Sequence, residues 1–348
     1  MIINLFRLGL SKIFGAVTAI RNMAFDLGLF RTYRSKLPVI SVGNLTVGGN
    51  GKTPLTIKIA EIIQNTYGLR PVILSRGYGG KERGPRQVSN QDTFLTVGDE
   101  PLLINKYYGF NVVIARDRIQ GAKLIEKQKL GDVIILDDGF QHRWLERDLN
   151  ILILDITNEA ALNESLRGKL LPAGLLREDF KKSLKRANLI CLSHRKLTNP
   201  KELQESPLKK EIEKYLPENI AAFALYYESL LFQPNDFDRN LPACTATTIA
   251  KPDAFIDSLR VAGIKIIDSR KLKDHSKELP SIIEQLLREK KGSLIFITEK
   301  DRIKLKDHLD QRVITVKAKA NLLGADKLLD SLQKNLSITK INYAQKCE

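Results

Sequence analysis

The stretch Asn44-Leu45-Thr46-Val47-Gly48-Gly49-Asn50-Gly51-Lys52-Thr53-Pro54 constrains this chain more than any other. An apolar run, Pro38 to Val42, leads into it and reads as a buried strand. The segment that follows, Leu55 to Tyr67, carries Leu55, Ile59, Ile62 and Ile63 at helical spacing. A strand, a glycine-rich loop ending in Gly-Lys-Thr and a helix form the layout of a nucleotide-phosphate cradle. Gly48, Gly49 and Gly51 let the backbone turn and bring its N–H groups close to phosphate oxygens. The helix N-terminus adds a partial positive charge. Lys52 can reach the β- and γ-phosphates, and the Thr53 hydroxyl can ligate Mg²⁺. Pro54 fits the first helical turn, where a missing N–H costs nothing. The usual spacing places a glycine where this chain has Thr46, so Gly48 and Gly49 are expected to do the turning.

The rest of the first two-thirds alternates between short apolar runs and helical patterns. Pro71–Ser75, Thr93–Val97, Asn111–Ala115, Asp132–Leu136, Asn150–Asp155 and Asn188–Leu192 read as strands. Strands alternating with helices imply a parallel, doubly wound sheet with ligands beyond the strands' carboxyl ends. After about residue 220 the texture changes. Residues 221–232 read as an extended connector, followed by strands near 245–250, 264–268, 294–298 and 313–316. Helices are expected from 251 to 262 and from 277 to 290. The expected fold is therefore a P-loop NTPase-like, doubly wound, mostly parallel sheet with a second, smaller α/β domain. Its divisions fall at 1–30, 31–222 and 223–348, with the last helix, near 322–332, free to pack on either unit.

Residues 1–30 need separate treatment. Ile2, Leu5, Phe6, Leu8, Leu10, Ile13, Phe14, Val17 and Ile20 are interrupted by Arg7, Lys12 and Arg21. The longest uncharged run is far too short to span a bilayer, and no signal-peptide cleavage site follows it. Such a basic, apolar helix can lie in a membrane interface or pack against the protein. The whole chain carries a formal charge of +16 over 348 residues, which favours an anionic partner. It has no zinc-finger pattern, aromatic RNA-binding signature or basic tail, so a nucleic acid is not the expected partner. Its three cysteines, Cys191, Cys244 and Cys347, are widely separated and imply neither a disulfide framework nor a zinc site.

Acids sit where a phosphoryl-transfer enzyme needs them. Asp137-Asp138 ends the most apolar run, and a carboxylate there commonly serves Mg²⁺ beside a phosphate loop. Gly139-Phe140-Gln141-His142 follows as a turn with polar reach. Asp99-Glu100 ends the run 93–97, and one of its carboxylates could ligate Mg²⁺ while the other accepts a hydroxyl proton. Arg76, Arg116 and Arg118 could hold an anionic substrate or the migrating phosphoryl group. Three readings fit these residues: a kinase, a nucleotide-hydrolysing switch acting on a protein partner, and a nucleic-acid-dependent ATPase. A guanine-specific switch would need Asn-Lys-x-Asp, and Thr298-Glu299-Lys300-Asp301 has the wrong order.

Taken together, several motifs carry a family resemblance. They are Val42 to Pro54, Ser75-Arg76-Gly77-Tyr78-Gly79, Val97-Gly98-Asp99-Glu100-Pro101, Ala115-Arg116-Asp117-Arg118, Asp137-Asp138-Gly139-Phe140-Gln141-His142, Leu171-Pro172-Ala173-Gly174 with Leu176-Arg177-Glu178, and Thr298-Glu299-Lys300-Asp301. In this order the chain resembles the tetraacyldisaccharide 4′-kinases of lipid A biosynthesis. The resemblance implies transfer of the ATP γ-phosphate to the 4′-hydroxyl of an anionic tetraacyl disaccharide 1-phosphate. It also implies a peripheral or monotopic location at the cytoplasmic face of the inner membrane, reached through the N-terminal helix. Thr46, Val47, Gly48, Gly49, Asn50, Gly51, Lys52 and Thr53 match the family's phosphate loop, and Asp99 matches its catalytic base. Lys273-Asp274-His275 resembles a motif that often reads Asp-His-His, which implies that His275 lies beside that base. The resemblance further implies a magnesium neighbourhood of Thr53, Glu100, Asp137 and Asp138. Asn44, Arg76, Arg116, Arg118, Gln141, His142, Arg177 and Glu178 are implied contacts for substrate or nucleotide.

Overall fold

A computed structural model describes residues 2–166, 168–305 and 309–336. His308, Cys347 and the end of the expected second domain, 337–348, lie outside the described residues. Among the described residues, twelve strands form one sheet. They are β1 (Val39–Asn44), β2 (Pro71–Ser75), β3 (Arg86–Gln87), β4 (Asn111–Ile114), β5 (Val133–Asp137), β6 (Leu149–Asp155), β7 (Leu189–Leu197), β8 (Ala221–Gln233), β9 (Ala243–Thr247), β10 (Ile266–Lys271), β11 (Leu294–Thr298) and β12 (Val313–Leu323). Their order is β10-β9-β11-β12-β8-β7-β6-β1-β5-β2-β4-β3. Only β12 against β8 and β3 against β4 run antiparallel. Every residue of β1, β2, β5 and β6 is buried, as their unbroken apolar runs require in a sheet covered on both faces. β1 lies between β5 and β6, and the chain crosses over it in passing from β5 to β6. That reversal opens a crevice beyond the carboxyl end of β1, where the glycine-rich loop begins.

The segment read as a connector is strand β8. It pairs in parallel with β7 and antiparallel with β12, so the sheet runs unbroken from the first half into the second. Hydrophobic clusters on β9–β12 give the later strands a core of their own. The last helix, Ala325–Leu336, places Leu328, Leu332 and Leu336 in the same core cluster as Ile40, Leu55 and Ile59 of the first half. Tyr67 donates its hydroxyl to the Leu329 carbonyl at 3.3 Å.

Four helices of the first half bear on the site, together with a helical turn. Helix α1 (Ile2–Asp26) is followed by α2 (Lys52–Tyr67), the turn α3 (Phe94–Val97), α4 (Asp99–Tyr108) and α5 (Arg118–Gln128). The expected strand at 93–97 is corrected to α3. The Thr93 N–H donates to Thr96 Oγ1 at 3.0 Å and the Thr96 N–H to the Thr93 carbonyl at 3.0 Å, which curls the run. A five-residue apolar run carries too little periodicity to separate the two forms. Asp99 and Glu100 consequently stand in the first turn of α4 and not at a strand end.

Helix α1 packs by one face and exposes the other. Ser11 Oγ donates to the Leu170 carbonyl at 2.8 Å, and Asn22 Nδ2 to Glu178 Oε2 at 2.7 Å. Arg143 reaches Asp26 at 2.6 Å, and the rings of Phe25, Phe30 and Trp144 cluster with centroids 4.8–4.9 Å apart. Phe6, Leu10, Ile13, Val17 and Ile20 form the exposed face. Among the described residues no helix is long and apolar enough to cross a membrane.

Candidate active site

The glycine-rich loop folds as its composition demands. Gly48 and Gly51 have φ of +106° and +83°, a region that L side chains rarely enter. A Cβ on Gly51 would meet Ser193 Oγ at 2.7 Å, so a glycine there is also a packing requirement. Asn44 and Thr46 brace the loop from within. Asn44 Nδ2 donates to the Thr46 carbonyl at 2.8 Å, and Asn50 Nδ2 to Thr46 Oγ1 at 2.5 Å. Val47 is tied to the Leu175 carbonyl at 2.9 Å and Arg177 to that of Leu45 at 2.7 Å. Thr46, at the position where a glycine is usual, thus serves as an anchor. Lys52 Nζ donates to Asn44 Oδ1 at 3.2 Å and lies 3.7 Å from Asp138 Oδ1. Thr53 opens α2 at the lip of the cleft.

The two acids that close β5 part company. Asp138, with φ of +50°, turns out of the strand. Arg177 Nη1 donates to both its oxygens at 3.1 Å. Burial would raise Asp138, but Lys52 and Arg177 together hold it below the usual carboxylate range. Asp137 stays buried, with Thr56 Oγ1 at 3.4 Å. Burial, helped by the nearby charges of Glu100 and Asp138, pushes it up to about 7. Glu100 is engaged by Lys300 Nζ at 3.0 Å. Among the described residues no three His, Cys, Asp or Glu side chains come close enough to cage a metal ion. Mg²⁺ asks for less, taking one or two protein carboxylates and completing its shell with water and phosphate. Hard oxygens and a carboxylate whose charge is poorly compensated fit that ion.

The second concentration of charge joins residues far apart in sequence. His275 Nδ1 donates to Asp99 Oδ1 at 2.7 Å and stands 2.9 Å from Oδ2. His275 has φ of +62° and stacks edge-on with Tyr78, ring centroids 5.1 Å apart. Lys304 Nζ lies 3.4 Å and Lys300 Nζ 3.7 Å from Asp99 Oδ2. Asp99 is 2% exposed. Burial alone would raise its pKa, but the His275 hydrogen bond and the charges of Lys300, His275 and Lys304 outweigh burial and bring it to about 2. The Gly77–Tyr78 backbone covers this site so closely that a Cβ on Gly98 would meet the Tyr78 carbonyl at 2.4 Å.

The remaining sequence candidates divide. Gln141 Nε2 donates to the Asn44 carbonyl at 2.9 Å and to Glu178 Oε1 at 3.0 Å, while its Oε1 accepts from Arg177 at 3.2 Å. Glu178 is also held by Arg186 and Asn22, which links α1 to the loop region. Asn44, Gln141, Arg177 and Glu178 therefore form a scaffold behind the loop. Arg118 is buried and donates to the Ala115 carbonyl at 3.1 Å, and burial lowers it to about 10. His142 is brought to about 4 by burial and by neighbouring arginines. Arg76 lines the cleft, and Arg116 is exposed at the rim of the sheet. Sequence reasoning missed Lys300 and Lys304 as partners of Asp99. It also missed Asp155, which Arg195 holds at 2.7 Å and Lys251 at 2.9 Å across the molecule. Nothing local marks such residues.

One cleft of about 1040 Å³ brings the phosphate loop together with His275, the partner of Asp99. Phe14, Thr18 and Arg21 of α1 line one end. The loop Val47–Thr53, Asp137, Asp138, Glu100 and His275 line its middle, and Lys251 and β12 the far side.

Comparison with known proteins agrees with this geometry. A family model described as Tetraacyldisaccharide-1-P 4′-kinase matches residues 3–337. The Tetraacyldisaccharide 4′-kinase of Shewanella pealeana is 34% identical over 298 residues, covering 86% of this chain and 83% of its own length. That of Chlorobaculum tepidum is 33% identical over 310 residues, covering 85% of each. The crystal structure of LpxK from Aquifex aeolicus in complex with ATP superposes with a TM-score of 0.74 at 29% identity, over 94% of this chain and 98% of that one.

Proposed function

This chain belongs to the tetraacyldisaccharide-1-phosphate 4′-kinase family, an ATP-dependent kinase of lipid A biosynthesis, and from that premise we propose how its residues do the work. The observation that carries the reading is that the phosphate loop and His275, the hydrogen-bond partner of Asp99, line one cleft large enough for a nucleotide and a sugar. ATP lies with its β- and γ-phosphates against the Val47–Thr53 amides and Lys52. The 4′-hydroxyl of the disaccharide enters from the Asp99 side. Its oxygen forms a bond to the γ-phosphorus as the bond from that phosphorus to the β–γ bridging oxygen breaks. ADP leaves with the electron pair, and the hydroxyl proton passes to Asp99. His275 orients the carboxylate through its Nδ1 hydrogen bond. Lys52 and the loop amides stabilise the charge that develops on the transferring group.

Asp137 and Thr53 are the residues best disposed to hold Mg²⁺, with Glu100 and Asp138 nearby but already engaged by Lys300 and Arg177. Bound there, the ion would neutralise phosphate charge and fix the γ-phosphate in line. Of the three arginines Arg76, Arg116 and Arg118, Arg76 lines the cleft and is the one placed to meet an anionic sugar headgroup, whereas Arg118 is buried against the Ala115 carbonyl. The exposed face of α1 suits an acyl-chain or bilayer surface, because its packed face fixes it beside the cleft mouth. Such a placement corresponds to a peripheral enzyme on the cytoplasmic face of the inner membrane.

The test uses γ-labelled ATP, Mg²⁺, detergent micelles and a tetraacyl disaccharide 1-phosphate with the purified full-length protein. Labelled lipid that forms with wild type and not with Lys52→Ala or Asp99→Ala supports these roles for the two residues. Lipid labelling at the wild-type rate by either variant removes that residue from the mechanism.

A further inference from the structure

Asp301 of the motif Thr298-Glu299-Lys300-Asp301 and the lysine three residues beyond it, Lys304, are buried. Asp301 is fully buried. Its Oδ1 accepts from the Thr248 N–H at 2.9 Å and from Thr248 Oγ1 at 2.6 Å. Its Oδ2 accepts from Thr247 Oγ1 at 2.6 Å and Thr298 Oγ1 at 2.7 Å. The Thr248 carbonyl in turn accepts the His275 N–H at 3.2 Å. Thr248 Oγ1 receives a hydrogen bond from Lys304 Nζ at 2.6 Å, and the same ammonium stands 3.4 Å from Asp99 Oδ2 and 3.4 Å from the Ser276 carbonyl.

The Lys304 side chain has no exposed surface. A buried ammonium needs a counter-charge as well as hydrogen bonds. A carboxylate within reach of Lys304 is that of Asp99, itself buried. We infer that Lys304, held by Asp301 through Thr248, is a positioning residue that fixes the Asp99–His275 pair through Asp99 Oδ2. The same threonine steadies both members of the pair: its hydroxyl seats Lys304 and its carbonyl seats His275. Lys300 completes the frame, shared among Glu100 at 3.0 Å, Asp274 at 3.4 Å and Asp99 at 3.7 Å. The carboxylate is thereby held in one orientation. The inference rests on the assignment of Asp99 as the proton acceptor.

The experiment is a double-mutant cycle on lipid labelling by the full-length protein, with Lys304→Met, Asp99→Asn and both together. Lys304→Met should lower kcat by roughly 10- to 100-fold, with the KM for ATP within about twofold of wild type. In the Asp99→Asn background the same change should have no further effect on kcat, because Lys304 acts through the lost carboxylate. Losses that multiply in the double variant, or a wild-type kcat for Lys304→Met, would overturn the inference. If Lys304→Met does not fold, Asp301→Asn takes its place in the same cycle, with a wild-type kcat again decisive against the proposal. An Asp99→Asn variant that turns over normally would instead remove the base assignment itself.

Discussion

The phosphate-loop end and the proton-acceptor end of the cleft are built in opposite ways. The loop itself comes from one short piece of chain, braced from behind by Gln141, Leu175 and Arg177. Asn44, Thr46, Asn50 and Lys52 bond to one another, with Gly48 and Gly51 supplying the turns. The acceptor end joins groups 176 residues apart in sequence, with Lys300 and Lys304 arriving from a third place in the chain. A local site forms as soon as its strand and helix are packed. A non-local one exists only while the strands after β8 stay seated on the rest of the sheet. Nucleotide binding should therefore be robust, and transfer should be sensitive to anything that loosens the two halves.

The largest expected effect separates the two ends. Asp99→Asn should reduce kcat by about 10²- to 10⁴-fold, the usual range for a general base, with ATP binding scarcely changed. Measured by steady-state kinetics over ATP concentration, an equal fall in kcat and in ATP affinity would erase the distinction. Lys52→Ala should cost roughly 10²- to 10³-fold in kcat/KM for ATP, like other lost donors to a charged transition state. ATP binding measured by calorimetry should weaken in this variant and stay near wild type in Asp99→Asn.

A clasp between the halves offers a sharper probe. Asp155, at the end of β6, is buried and holds both Arg195 and Lys251. Asp155→Ala should cost about 3 kcal/mol by leaving a mostly buried arginine unpaired, read from denaturant melts. Burial would raise Asp155, but Arg195 and Lys251 hold it below the usual carboxylate range. Its folded pKa is thus lower than its unfolded one. The stabilisation is fully present above the ordinary carboxylate range and is lost as pH falls below it. The gap in stability between wild type and Asp155→Ala should accordingly be wide at neutral pH and shrink below about pH 4. A gap that stays constant down to strongly acidic pH would show that the clasp does not titrate with folding.

The smallest effect concerns α1. Ile13→Ser with Val17→Ser removes two exposed apolar side chains, each worth about 1.5–3 kcal/mol if it is buried in lipid. Partition onto anionic vesicles, followed by flotation, should drop at least tenfold. The melting temperature should barely move, because exposed substitutions usually lie within about 0.5 kcal/mol. Unchanged flotation would detach this face from membrane binding.

The difference between the ends also governs what could be read in advance. β1, the loop and α2 were legible because the pattern is contiguous and each residue type has a local reason. Most strands were legible as apolar runs. The turn at 93–97 was not, since five apolar residues fit either form until Thr93 and Thr96 bond. Residues 221–233 carried the pattern of an extended segment, but their partners on both sides lie elsewhere in the chain. Asn44, Gln141, Arg177 and Glu178 stand out in the sequence as site residues, yet their hydrogen bonds make a scaffold whose shape no spacing reveals.

The sequence by itself determined the phosphate loop, the parallel α/β plan and the family, because these rest on neighbouring residues and on motif order. The tertiary structure alone decided which ions meet. Asp99 is paired with His275, Lys300 and Lys304 because the turn after β10 and the segment after β11 carry those groups to the first turn of α4. Asp137 is raised chiefly by its own burial, with the charges of Glu100 and Asp138 adding to it, and Asp138 is lowered because Lys52 and Arg177 outweigh burial. Charge interactions act through space and depend on burial, and neither distance nor burial is written in the order of residues.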